Sequence, residues 1–395
     1  MRILWVATKA PWPPIDGGRL VLYETLRALR AAGHRLTLVA PLAADPVRRE
    51  EVTASLRPIC RTEWVDAAPR PLVLDLLRSQ VQRRPLTIVR HALPAMRRRV
   101  DELLQSEHYD VVQAEQVQAL DAAEIAASHG VPVVLRAQNV ESDLWSQTAR
   151  QAGWLGWPLG WEARRLAAWE GGAVGRCPAT VALTGEDAER LTELAGGPVV
   201  ASDWSASRVR PIAAPFEAEL PHADRALPGT PSVVLFGSRG WRPNTGGTAW
   251  FVEAIWPHVR KALPDAVLHV FGEAPAARGV VRHLPPSDSR TAYPPGAVLV
   301  VPLQVASGVR IKILEAWARG VPVLATPQAA RGLAAEDGRH LLLAQDGPGF
   351  ATALQRFVAE PSLAATLVEA GRQRLLDHHA PARVAERLSA LYEEL

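Results

Sequence analysis

Apolar residues gather first at 2–7 (RILWVA), recur at helical spacing over 20–32 behind a loop rich in Pro and Gly, and gather again at 35–40. An apolar run, a loop, an amphipathic helix stopped at Gly33-His34 and a second run predict a right-handed βαβ unit, the building block of a doubly wound sheet. The pattern continues with strands at 110–113, 131–136 and 179–183, a helix over 120–129 and a long Trp-rich helical region over 142–176. A second series opens with VVLFG at 233–237, followed by a loop, an amphipathic helix ending at Pro264, and strands at 266–272, 280–284, 297–302 and 321–325. Between the two series, 196–231 carries Pro198, Pro211, Pro215, Pro221, Pro228 and Pro231, the composition of a domain boundary.

The stretch 300–327, VVPLQVASGVRIKILEAWARGVPVLATP, is a strand, a small-residue turn and a helix carrying Lys312 and Glu315. Amides at a helix start suit a diphosphate, Lys312 brings a point charge, and a carboxylate one turn on can accept hydrogen bonds from vicinal ribose hydroxyls. An ordinary strand, loop and helix with a solvated Lys and Glu fits this stretch equally well. Neither half has three spaced glycines with an acidic residue about twenty positions on, which disfavours a nicotinamide enzyme. Gly17-Gly18, Gly237 and Gly240 either let backbone approach a ligand or serve tight turns.

With 395 residues, the chain exceeds one compact core. The 48% hydrophobic and 22% charged content is that of a globular protein kept in the cytosol, since no signal pattern or membrane-spanning run is present. A net charge of +3 argues against a nucleic-acid binder. Cys60 and Cys177 have no metal-like spacing. Over 81–100, Arg83, Arg84, Arg90, Arg97, Arg98 and Arg99 interleave with Leu86, Ile88, Val89, Leu93 and Met96, either as a peripheral contact with anionic lipid or as a surface helix with a solvated basic face.

Across nearly its whole length the chain resembles a retaining glycosyltransferase of family 4, similar to bacterial cell-surface polysaccharide transferases. The matching pieces include PPIDGGRLVLYETLRALRAAGHRLTLVAP, YDVVQAEQ, LRAQNVES, VALTGEDAERL, the 233–272 region and the 300–327 stretch. The resemblance implies the GT-B fold, an α/β architecture of two Rossmann-like doubly wound domains facing a cleft. An acceptor-binding domain would span 1–210 and a nucleotide-sugar-binding domain 211–375, with a helix over 376–395 returning to the first. It implies no cofactor and no metal, a nucleoside diphosphate sugar as donor, and a glycan or lipid-linked acceptor. Gly17, Gly18, Gly237, Arg239, Ser307, Gly308, Val309, Lys312 and Glu315 would bind the donor, with Arg239 and Lys312 neutralising the leaving group. Gln138, Asn139 and Glu141 would meet the acceptor.

The sequence departs from the family pattern where the sugar would lie. Ser307 replaces the usual Glu eight residues before Glu315, and Arg239 or Arg242 takes the place of the usual Lys after the first strand of the second half. The family's His-x-His is Gln113 and Glu115 here, and Gln138 stands where a His is common. Glu115 either acts catalytically at the anomeric carbon or is a loop carboxylate in a salt bridge, and Glu170 either matches a family Glu or forms a structural salt bridge. Trp154, Trp157, Trp161 and Trp169 either line an acceptor or lipid surface or pack internally. A hexose-transferring enzyme is the leading expectation, with a sugar-nucleotide epimerase or a silent binding protein as alternatives.

Overall fold

Strand β1 (Arg2–Ala7) shows why the apolar runs become strands: Ile3 through Ala7 are wholly buried, as a parallel strand covered on both faces requires. The computed structural model describes residues 1–67, 70–197, 208–237, 242–286, 288–305 and 308–395, with backbone alone at 151, 155 and 242–245. The first sheet adds β2 (Arg35–Pro41), β3 (Arg61–Val65), β4 (Val111–Glu115), β5 (Val133–Ala137), β6 (Ala179–Ala182) and β7 (Val209–Pro211). The second holds β8 (Ser232–Phe236), β9 (Val267–Phe271), β10 (Val280–His283), β11 (Ala297–Val301), β12 (Val323–Ala325) and β13 (Leu342–Leu343).

All pairings within the two sheets are parallel, in the orders β3-β2-β1-β4-β5-β6-β7 and β10-β9-β8-β11-β12-β13. Both are doubly wound, and each reverses direction beside its own first strand, between β1 and β4 and between β8 and β11. In such sheets ligands bind beyond the carboxyl ends of the strands at that reversal.

The chain forms two compact units, one built on Met1–Pro215 and Pro381–Leu395, the other on 216–305 and 310–380. The crossings expected at 211 and 376 thus fall at 216 and 381. The last helix, Pro381–Glu393, lies against Gly17–Ala31, and its Tyr392 hydroxyl donates to Gln113 on β4 at 2.7 Å. Gln113, fully buried, also donates to the Val134 carbonyl, so this departure from the family His works as a structural tie.

The Trp-rich region is two helices, Glu141–Gln151 and Gly156–Arg176, broken at Gly153 with φ +56°. The helix after β8 runs Arg242–Trp250, passes through a π turn at Phe251–Ile255, and ends at Ala262, short of the expected Pro264. The basic segment 81–100 is not one surface helix. It spans the end of Leu72–Gln82, then Leu86–His91 and the start of Pro94–Ser106, and its Ile88, Val89, Met96 and Val100 lie in the core. Arg84 pairs with Asp121, and Arg99 with Glu63 and Glu102.

Candidate active site

At the reversal of the first sheet, β1 delivers Thr8 and Lys9 and the helix Gly17–Ala31 begins. Asp16 caps that helix by accepting from the Arg19 amide at 2.9 Å and pairs with Lys9 at 2.9 Å. Gly18 allows the closest approach here: a Cβ on it would stand 2.8 Å from Gln138 Oε1. Gln138 Nε2 donates to the Gly18 carbonyl at 3.1 Å and to Glu115 Oε1 at 2.5 Å. The expected residues Gly18, Gln138 and Glu115 are therefore one hydrogen-bonded group, with Gly17 beside it.

Glu115 is the last residue of β4, only 2% exposed, and in register with Arg136 on β5. Arg136 donates to it at 2.9 Å and Trp5 Nε1 at 3.1 Å, so both oxygens are engaged inside the unit. This is the salt bridge left open by the sequence, placed on a strand end rather than a loop. Glu115 holds Gln138 in place, and its next residue, Gln116, has φ +69° and ψ 155°, a conformation seldom adopted outside glycine and costing on the order of 1–3 kcal/mol. Gln116 accepts from Thr8 and donates to Gln138, which links the strained residue to the same cluster. No motif in the sequence marks Gln116, Thr8 or Lys9.

Asn139 and Glu141 continue from β5. Burial raises the Glu141 carboxyl above its ordinary value, against hydrogen bonds from Asn139 and Gln118. Among the described residues Glu170 has no ion-pair partner: its carboxylate accepts from the amides of Glu141 and Ser142 at 2.8 and 3.0 Å and closes the start of the helix carrying them. Burial pushes this carboxyl up to about 7 from 4.5. The folded protein thus keeps a proton that the unfolded chain loses near pH 4.5, so stability falls as pH rises toward 7. Denaturant titrations from pH 5 to 8 are expected to show a decline of about 2–3 kcal/mol that Glu170→Gln removes. A slope unchanged in the variant would assign the titration elsewhere.

A cavity of about 210 Å³ lies in the first unit, lined by Thr8, Pro41, Arg70, Asp75, Arg90 and His91 among others. Thr8 follows β1 and Pro41 ends β2, so the cavity opens at the carboxyl edge of the sheet, where a ligand is expected.

In the second unit the helix Ile311–Ala318 starts without a side-chain cap. Lys312 places Nζ 5.9 Å from the ring centre of Phe236, the last residue of β8, and so stands over the carboxyl end of that strand. Although the side chain keeps some surface, desolvation and the neighbouring positive Arg310 push its ammonium down to about 7. One turn on, Glu315 accepts from Ser289 at 2.6 Å, Tyr293 at 3.2 Å and Arg319 Nε at 2.9 Å. Burial and Glu315 raise the Tyr293 phenol well above its usual range, which keeps it a donor. The solvated Lys and Glu allowed by the sequence are thus both drawn inward, in an arrangement anchored on Ser289, Tyr293 and Arg319, none of which the sequence singles out.

Gly237 has a structural reason for being glycine. Its carbonyl oxygen would lie 1.7 Å from a Cβ on Gly272, and its own Cβ would meet the Glu273 carbonyl at 2.8 Å, so the ends of β8 and β9 touch. Gly308, with φ +69°, and Val309 lead into the helix. Arg239 and Ser307 lie outside the described residues, as does the side chain of Arg242. Among the described residues no three His, Cys, Asp or Glu side chains form a metal-ligand set.

Two family models match the chain: Glycosyltransferase Family 4 over residues 15–201 and Glycosyl transferases group 1 over residues 230–360. The chain belongs to the family 4, group 1 glycosyltransferases. Its two doubly wound domains are those of the GT-B fold. Sucrose-phosphate synthase from Thermosynechococcus elongatus is similar at 17% identity and a TM-score of 0.73, covering 100% of this chain and 99% of that one. Anabaena HepE in complex with UDP-glucose is similar at 16% identity and 0.66, covering 100% of both chains. A glycosyltransferase from Rickettsia africae follows at 11% and 0.63, covering 100% of this chain and 98% of that one. Among curated proteins no sequence match was found.

Proposed function

We propose that this glycosyltransferase is a cytoplasmic enzyme that moves a hexose from a nucleoside diphosphate sugar, with retention and without a metal, to a glycan or lipid-linked acceptor. The observation that carries the reading is the helix Ile311–Ala318, which sets Lys312 at the carboxyl end of β8 with Glu315 one turn on. Lys312, with Arg239 and the amides of Gly308 and Val309, neutralises the departing diphosphate. Glu315 turns from its Ser289 and Tyr293 partners to the ribose, and Ser307 offers a hydroxyl to the sugar. Glu115 is a positioning residue that fixes Gln138 through the Arg136 pair, and the leaving phosphate takes the acceptor proton. Gln138, Asn139 and Glu141 meet the acceptor, whose entry is the cavity beside Thr8.

The HepE structures are of complexes with UDP-glucose and with UDP, which supports uridine diphosphate sugars as the first donors to try. Thermal unfolding with UDP-, GDP- and ADP-glucose tests the reading. A true donor at a hundredfold its Kd stabilises by about 2.7 kcal/mol, a rise of several degrees. Release of free or transferred sugar separates an enzyme from a silent binder, and the absence of a shift with all three donors would count against the donor site.

A further inference from the structure

The helix Leu72–Gln82 is built inside out. Its buried positions are Asp75 and Ser79, one turn apart, while Leu72, Val73, Leu76, Leu77 and Val81 are 42 to 84% exposed. Polar partners hold it that way round. Asp75 faces Arg70 at 3.3 Å, Ser79 donates to the Arg84 carbonyl, and Arg165 reaches across to Ser79 Oγ at 3.1 Å and to its carbonyl at 2.9 Å. Arg165 also lies 4.5 Å from the ring centre of Trp161. Trp161 is one turn before Arg165 on the helix Gly156–Arg176, and Trp157 one turn earlier, so the two share its face. Trp157 and the nearby Trp154 are 78 and 86% exposed. Through Arg165 the tryptophan-bearing helix packs against the buried side of Leu72–Gln82, so the exposed leucines and the exposed tryptophans belong to neighbouring elements of the first unit.

We infer that this surface docks on an anionic phospholipid bilayer. The charge around it decides between occupants. From 70 to 100 the only acidic residue is Asp75, and it is buried, whereas Arg78, Arg83, Arg90 and Arg98 are exposed, as are Arg150 and Arg164 near the tryptophans. A second copy of this chain would bring the same arginines face to face, which like-charge repulsion opposes. Anionic headgroups match the rim, exposed Trp side chains suit the headgroup depth, and the leucines suit the acyl boundary. Among the described residues no helix is long and apolar enough to cross a membrane, so the contact is with one leaflet. Asp75 belongs both to this helix and to the cavity lining, so docking would bring the proposed acceptor entry to the lipid surface; only this last step rests on the proposed function.

Full-length protein sedimented with vesicles of phosphatidylcholine alone, or mixed equally with phosphatidylglycerol, tests the inference. Binding is expected with the anionic vesicles, weakening as salt is raised. Leu76→Ser/Leu77→Ser and Trp154→Ala/Trp157→Ala should each lower vesicle affinity at least tenfold, and Arg78→Glu/Arg164→Glu should abolish the preference for anionic lipid. These side chains are exposed, so thermal midpoints and donor-induced shifts should stay at wild-type values, which separates failure of the surface from failure of the donor site. Wild-type protein that remains unbound, variants that bind equally well, or a wild-type dimer that the leucine variant dissociates would each overturn the inference.

Discussion

Glu315→Ala is expected to abolish sugar transfer and, at the same time, to destabilise the second unit by about 3–5 kcal/mol, because it leaves the Arg319 guanidinium buried without its partner. Loss of activity in that variant alone would therefore say little about the ribose. Two further variants divide the effects. Glu315→Gln keeps an acceptor for Ser289 and Tyr293 and removes only the charge. Glu315→Ala/Arg319→Met removes the orphaned cation as well, and the pair should recover much of the lost stability, since replacing both partners of a buried ion pair by apolar groups is often near neutral. Transfer should stay at least a hundredfold below wild type in the double variant, about 2.7 kcal/mol of lost transition-state stabilisation. Thermal unfolding and initial rates measured on the same preparations check this. A double variant that is both stable and active would reduce Glu315 to a purely structural residue.

How far the sequence reveals this molecule depends on whether a contact is local. The βαβ order was legible because the central strands β1, β4, β5, β8 and β11 are buried on both faces and the helices between them carry apolar stripes, as in Gly17–Ala31 with Val21, Leu22, Leu26 and Leu29 turned inward. The Gly18–Gln138–Glu115 grouping was expected only as scattered loop residues. What joins Glu115 to Arg136 is the register of β4 on β5, and what joins Trp5 to Glu115 is the neighbouring register of β1, neither of which a linear pattern carries. For Glu170 the sequence left a family match and a structural salt bridge open, because its partners are backbone amides, which leave no mark in sequence. The helix Leu72–Gln82 reverses the usual inference altogether. Its leucines would place the core on the wrong side, and Arg70, Arg90, Arg165 and the Arg84 carbonyl, reaching it from outside its own span, explain why Asp75 and Ser79 are the buried pair.

Donor affinity should fall steeply between pH 7 and pH 9, and Lys312 is the reason. Desolvation and Arg310 push its ammonium down to about 7 in the free protein, well below the ordinary 10.5, so above neutrality the group that is to meet the diphosphate is mostly uncharged. A bound diphosphate favours the charged form, so the complex holds the proton to a higher pH than the free protein does. Between those two values donor binding is accompanied by uptake of a proton on Lys312. Kd should then rise by up to tenfold per pH unit above neutrality, until the complex also loses its proton. Below pH 7 the curve should flatten, because free and bound forms are both protonated. Lys312→Arg keeps the charge at every pH and should abolish the slope while leaving weaker but pH-independent binding; Lys312→Met should bind poorly throughout. Calorimetric titration with the donor's nucleoside diphosphate in two buffers of different ionisation heat gives both Kd and the number of protons taken up. A flat profile with no proton uptake would mean that Lys312 does not meet the diphosphate.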